Sequence, residues 1–544
     1  MKNKLIIVGV LSISLVNAFW MLSARSLNSH ECFVGITARE MIENNNYLWP
    51  TLNGEPRLQK TPLNYWLVAA AGKLTGKVDE LTTRLPSAIF AFLSAAAILY
   101  YLSRWLLLRT AAISTVVWST SLAYLRSSHD GRPDTVMTFF IVLCMLSFYG
   151  VVTSENRRGQ VIQSIIFWIS FALANLSKGP APVAYITILI AVYIIFTRNW
   201  RIIGRMLPIA GILIFLLIVL PWPLYIAVKI NWNLTLWKNE FIDRLAGDYA
   251  KGNYPIYYYL PMMFKYITPW VVFLPICLAA PFYRVWKEKR PLMIYLWIWF
   301  AAGIIFLTID AGKRQHYIIP LIPAMAMLTG IVLDDMIFSR VAFEAKFVRN
   351  ILAGYFLALI AAAAAGAIFT ARTSPEYMPK VFLLVTITIS WATAVVILFI
   401  KHKERLAAVG IFAGIMVFII VFYYNFTAAV DIDADSRDFG KAIARTVPAD
   451  EKLVSYGIVT SRLVFNYGKA IPEIDDFSEM KRLYGEGCWI ICITIETENL
   501  RNSGFNVVYS RDRENIKSDG GILIHKPDIE DKKVFVEQES ITAL

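Results

Sequence analysis

Residues 130–152 read DGRPDTVMTFFIVLCMLSFYGVV, two aspartates and an arginine followed by an uncharged apolar run from 135 to 152. A run of that length lets a helix cross a hydrocarbon core ~30 Å thick. Pro133 suits a helix start, where a missing N–H costs nothing. An ionised side chain at the bilayer centre costs several kcal/mol, so the charged head belongs where the helix leaves the apolar layer. Asp134 can be no more than a carboxylate complementing the helix dipole. The same placement points it into a cavity at the helix end, with Arg126, His129, Asp130 and Arg132 near in sequence.

Segments of the same character recur at 5–23, 86–103, 110–125, 161–175, 181–197, 206–227, 265–283, 292–309, 318–334, 351–371, 381–400 and 407–425, about thirteen in all. The opening MKNKLIIVGVLSISLVNAFWML resembles a signal peptide, but its apolar run has nearly spanning length and is read as the first span. Composition agrees: 57% hydrophobic and 17% charged residues over 544, with a mean hydropathy of +0.53, exclude a soluble protein. The net charge of +13 does not indicate nucleic acid, because Lys and Arg gather in short clusters between apolar runs. Lys2 and Lys4, Arg104 and Arg109, Arg157 and Arg158, Arg198 to Arg205, Arg284 to Arg290, Arg340 to Arg349 and Lys401 to Arg405 fall on one side of the alternation, which the positive-inside rule makes cytoplasmic. The five cysteines form no disulfide framework: Cys144 and Cys277 lie in spans, Cys32 is alone in its loop, and Cys488 and Cys492 sit too far apart along one strand.

The remaining loops, 24–85, 126–133, 176–180, 228–264, 310–317 and the chain beyond 426, then face outward. After Asn425 the charge density becomes ordinary, and helix (DSRDFGKAIARTV) and strand patterns (KLVSYG, CWIICIT, FNVVYS, GILIH) alternate. The expected organisation is a transmembrane unit, 1–425, and a small α/β domain, 426–544, on the outer side. No phosphate-binding glycine loop suggests a nucleotide.

The first outer loop, NSHECFVGITAREMIENNNYLWPTLNGEPRLQKTPLNYW (28–66), predicts a helix around Ile36 to Asn44, a turn at Asn53-Gly54 and an aromatic return to the membrane. With four further motifs this loop resembles the GT-C class of glycosyltransferases, in particular the protein O-mannosyltransferase-like group that includes the bacterial lipid A aminoarabinose transferases. The matches run in order over residues 1–335: HECFVGITAREM, NGEPRLQKTPLNYW, DGRPDTVMTFF, LSKGP and GKRQHYIIPLIPAMAML. The resemblance implies transfer of a sugar from a polyprenyl phosphate at the outer face of a bacterial inner membrane, with the acidic pair of the first loop near the reacting sugar. The acceptor would be a lipid, a protein or a glycan.

The residue types suit that chemistry. Inverting transfer needs a carboxylate or similar base near the acceptor oxygen and cations to hold the departing phosphate. The outward loops supply Glu31, Asp130 and Asp134 for the first task and Arg57, Lys60, Lys178, Lys313 and Arg314 for the second. Two departures from the family pattern remove carboxylates: His30 stands before Glu31 where an acidic residue is usual, and Gln59 stands before Lys60 where Glu is common. Glu31 takes over as base, or His30 does, or the acceptor is a phosphate that is already ionised. Glu31 is preferred, with Asp134 assisting.

Lys178 can also be a snorkelling interfacial lysine. Lys313, Arg314 and His316 break the one-sided charge pattern, which favours a phosphate contact. Tyr65 and Tyr317 are further candidates, as are Glu240 and Arg244 in the 228–264 loop, although those two can simply pair across one helical turn. His30, His129 and His316 with carboxylates can hold a divalent metal, but no ligand spacing demands one. A transporter or flippase of lipid-linked precursors is the main rival. It would carry its charges at the midplane, often in paired repeats, and no repeat is evident.

Overall fold

The computed structural model describes residues 2–526 apart from 59, 233–234, 236–253, 310–311, 340–341, 427–430, 432–433, 494–496 and 512–520. The chain divides into two compact units, one of Met1–Leu22, Leu58–Leu67 and Arg84–Ala428, the other of Ser23–Arg57, Val68–Thr83 and Ala429–Leu544.

The first unit is helical. Among the described residues eight helices are long and apolar enough to cross a membrane, from Glu80–Trp105 to Val409–Phe426, joined by two bent pairs and by the shorter apolar helices Asn3–Phe19 and Ala181–Thr197. The chain is an integral membrane protein. These twelve correspond to twelve of the thirteen segments read from the sequence; the exception is 110–125, which forms two helices, Leu108–Ser119 and Leu122–Ser128. At ~1.5 Å per residue neither reaches across an apolar core.

The break has a local cause. Thr120 and Ser121 turn their hydroxyls back on the carbonyls of Val116 and Trp118 at 2.6 and 2.7 Å, and Ser121 caps the next helix through the Tyr124 amide. A second break lies between Tyr259–Ile267 and Trp270–Phe282, which meet at 116°. The two breaks pack on each other. The Leu122 amide donates to the Thr268 carbonyl at 2.9 Å, and the Trp270 indole donates to Thr120 Oγ1 at 3.0 Å. Each interrupted backbone thus finds partners in the other, as an apolar surrounding requires.

Small residues set the closest approach in this unit. A Cβ on Gly330 would lie 2.4 Å from the Ser114 Cα, so glycine lets the helix Ile322–Asp334 lie against Leu108–Ser119. The pair ends in an ion pair between the half-exposed Arg109 and the buried Asp334, Arg109 Nε to Asp334 Oδ1 at 2.5 Å, with Thr110 Oγ1 donating to Asp334 Oδ2 at 2.9 Å.

In the second unit the helix Ser29–Glu43 begins earlier than the expected Ile36, because Asn28 caps it. The predicted turn is present: Asn53 (φ +55°) and Gly54 (φ +82°) join β1 (Thr51–Leu52) to β2 (Glu55–Pro56), the double positive-φ geometry that Asn-Gly supplies. The C-terminal part forms a five-stranded sheet of order β4-β3-β5-β7-β6, from β3 (Leu453–Tyr456), β4 (Glu473–Ile474), β5 (Trp489–Cys492), β6 (Val507–Arg511) and β7 (Gly521–Ile524). β3 pairs in parallel with β4 and β5, while β7 pairs antiparallel with β5 and β6. The four strands and the helix expected from the sequence are found; β4, two residues long, carries no periodicity to read. All five cysteines are free thiols.

Candidate functional site

In the helical unit three helix ends converge. Asp134 opens the helix Asp134–Thr153, Lys178 closes the next one, Arg157–Lys178, and His316 lies in the turn Gln315–Leu321 that leads into a third. The Lys178 ammonium donates to Asp134 Oδ1 at 2.5 Å, and His316 Nε2 lies 3.7 Å from the same oxygen. The Asp134 side chain is only 8% exposed, and attraction between opposite charges is stronger in such a place than in water. Lys178 Nζ also sits 4.7 Å over the Tyr317 ring, which meets the His316 imidazole edge-on at 4.9 Å.

A small open recess is lined by Arg126, Asp130, Arg132, Asp134 and His316 among others. Asp130 takes both oxygens to the Arg132 guanidinium, with Nε at 2.9 and 2.8 Å. Arg126 is exposed and lies 5.9 Å over the Tyr266 ring. The loop is fixed from several sides: Thr135 Oγ1 donates to the Ser127 carbonyl at 2.6 Å, and Asn64 Nδ2 to the Gly131 carbonyl at 3.1 Å. Asn64, 2% exposed, thereby fastens the segment that carries Lys60 and Tyr65 to the recess loop. Nothing in the sequence marked Asn64 except its place in the K-T-P-L-N-Y-W run. Lys313 is 8% exposed and forms no ion pair among the described residues, and the Arg314 amide donates to the Tyr259 hydroxyl at 3.3 Å.

The other sequence candidates lie in the second unit. Glu31, fully buried, closes a capping box: its Oε2 accepts from the Asn28 amide at 3.0 Å and from Asn28 Nδ2 at 2.7 Å, while Asn28 Oδ1 accepts from the Glu31 amide at 3.2 Å. The Arg57 guanidinium lies 4.7 Å over the Phe33 ring, which His30 meets edge-on at 5.9 Å. Two residues not singled out in the sequence hold this region. Glu40 accepts from Thr51 Oγ1 at 2.5 Å and from the Gly54 amide at 3.2 Å. Arg39 donates to the carbonyls of Phe465 and Val464 at 3.0 and 3.1 Å. Glu240 and Arg244 lie outside the described residues. Among the described residues no group of three or more His, Cys, Asp or Glu side chains is placed to hold a metal ion.

The architecture, a bundle of spanning and broken helices with an appended α/β sheet, defines the GT-C type of membrane glycosyltransferase fold. It superposes on the crystal structure of ArnT from Cupriavidus metallidurans bound to undecaprenyl phosphate with a TM-score of 0.81, over 96% of this chain and 99% of that one, at 17% identity. Residues 59–225 match the dolichyl-phosphate-mannose-protein mannosyltransferase family. An undecaprenyl phosphate-alpha-4-amino-4-deoxy-L-arabinose arabinosyl transferase of Aeromonas hydrophila is 28% identical over 297 residues, 54% of this chain and 53% of that protein. An uncharacterized protein of Aquifex aeolicus is 26% identical over 80% of this chain and 79% of its own length. The alignment thus spans about half the length of the aminoarabinose transferase relatives it matches. The chain is thus similar in fold to ArnT and, over part of its length, similar in sequence to the dolichyl-phosphate-mannose-protein mannosyltransferase family and to the aminoarabinose transferases.

Proposed function

We propose that this protein transfers a sugar from a polyprenyl-phosphate donor to an acceptor at one face of the membrane. The observation that carries the proposal is the gathering of Asp134, Lys178 and His316 at three helix ends, beside a recess edged by Arg126 and Arg132. Charges at helix ends suit chemistry at a membrane surface, whereas a transporter needs them at mid-depth. The relatives' names, which specify an undecaprenyl phosphate-linked aminosugar, support a donor of that class.

Lys60, Lys313 and Arg314 are proposed to hold the donor phosphate, with Tyr65 and Tyr317 beside the sugar. Lys178 is assigned differently from the sequence expectation, because its ammonium is committed to Asp134. Asp134 is proposed to hold the Lys178 ammonium in place beside the acceptor. Arg57 and His30 remain candidates on the sequence resemblance.

The acceptor is proposed to be a phosphate oxygen, the one of three alternatives that needs little base. Asp130 is bound by Arg132 and Asp134 by Lys178, and Glu31 has one oxygen in its cap. An oxyanion attacks without losing a proton, so carboxylates tied up in this way are no handicap. The basic clusters are proposed to be cytoplasmic, with the sheet-bearing unit on the outer side; labelling single cysteines placed near 288 and 482 in intact cells tests this.

The deciding experiment is transfer of labelled sugar from undecaprenyl-phosphate donors in membranes, with the intact protein compared with Lys60→Ala and Asp134→Asn. Loss in both variants at normal expression supports the site. Undiminished transfer in both removes it, and no transfer by the intact protein with any donor returns the question to the transporter.

A further inference from the structure

Beside the recess loop, His129 makes contacts that a doubly protonated imidazole satisfies more fully than a neutral one. Its Nε2 lies 2.9 Å from the Trp20 carbonyl oxygen, just beyond the first helix, and its Nδ1 lies 2.9 Å from the Leu125 carbonyl oxygen. A carbonyl oxygen only accepts. A neutral ring has one N–H, so one contact would set two lone pairs face to face; the doubly protonated ring donates at both. Ser128 Oγ lies 3.1 Å from both Leu125 O and His129 Nδ1, and Leu125 O also accepts from Tyr423 Oη at 3.3 Å, so the single Ser128 proton serves the carbonyl when the ring is charged and the ring when it is neutral. The ring is 9% exposed and lies against Tyr423 with centroids 5.0 Å apart.

We infer that His129 is held as an imidazolium that ties the Trp20 end of the first helix to the 129–134 loop, a positioning residue that makes the recess depend on the proton it carries. Asp130 follows His129 directly and is engaged by Arg132. Arg126 faces Tyr266, Tyr423 comes from the helix Glu404–Phe426, and the first helix, Lys2–Phe19, has its only charges, Lys2 and Lys4, at its far end. The neutral state open to the ring requires the Ser128 hydroxyl, 3.1 Å from Nδ1, to turn away from Leu125 and donate to the ring. The tie is complete while the ring is charged and weakens as rising pH removes its proton.

The inference takes the recess to be the transfer site, but its first test does not. The thermal midpoint of the full-length protein in detergent is followed from about pH 5.5 to about pH 8.5, the range over which imidazoles titrate, for wild type, His129→Arg and Ser128→Ala. Wild type is expected to lose stability as pH rises. His129→Arg, which keeps donors at every pH, should show no such limb, and Ser128→Ala, which lacks the donor the neutral ring needs, should lose stability at higher pH than wild type. Sugar transfer should fall by roughly fivefold along the same limb in wild type, the size of one lost hydrogen bond, and not in His129→Arg. Parallel profiles for wild type and His129→Arg, or an unmoved limb in Ser128→Ala, would overturn the inference. If no transfer is detected the transferase reading fails, and the thermal profiles still decide the role of His129. Should His129→Arg not fold, the Ser128→Ala shift decides alone.

Discussion

Two regions of this molecule use buried acidic residues in opposite ways. At the helix ends, Asp134 accepts from the Lys178 ammonium of another helix and lies near the His316 imidazole, and it borders a recess. In the sheet-bearing unit, the Asn28 amide and side chain donate to Glu31, and Thr51 and the Gly54 amide donate to Glu40. A carboxylate that serves a cap has its energy in backbone order. One that pairs with a cation beside open space is poised to meet a ligand.

That contrast predicts how each carboxylate responds to substitution. The largest effect is expected at Lys178. Lys178→Met leaves Asp134 buried without its partner, which should cost about 3 kcal/mol of stability and at least about a hundredfold in transfer. Adding Asp134→Asn should restore most of the stability, read by thermal unfolding, and none of the transfer. Recovery of transfer in the double variant would break the comparison by making the pair structural.

Glu40→Ala comes next, because it strips acceptors from Thr51 and Gly54 together. A loss of about 2 kcal/mol is expected, read as earlier proteolysis in the 44–57 segment, with transfer per folded molecule unchanged. Gly54→Ala should cost about 1 kcal/mol, since φ is +82° there, although nothing lies within 4 Å of the added carbon; limited proteolysis reads this too. The smallest effect is expected from Glu31→Gln, which keeps an acceptor oxygen for the Asn28 cap: below about 1 kcal/mol, with transfer retained within about tenfold. Complete loss of transfer at unchanged stability would instead make Glu31 the base.

Much of this was legible in the chain. The spans announced themselves because about twenty apolar residues in a row have few alternatives to a membrane helix, and the Asn53-Gly54 turn because few residue pairs accept two positive φ angles. The break at Thr120-Ser121 was missed. Hydropathy averages over a window in which two hydroxyl residues barely register, yet their side chains compete for helix carbonyls. The role of Asn64 was missed for another reason: its acceptor, Gly131, is 67 residues away.

Sequence alone determined that the protein lives in a membrane, that its C-terminal part carries a small sheet, and which charged residues were available for chemistry. These follow from local chemistry: hydrophobic runs, turn geometry and the cost of burying charge. Only the tertiary structure decided which charges share a place. The Lys178 ammonium meets Asp134 across two helix ends, and Asn28 donates to one oxygen of Glu31. A side chain's role depends on the partners that folding delivers to it, and those partners come from far along the chain as readily as from the next turn.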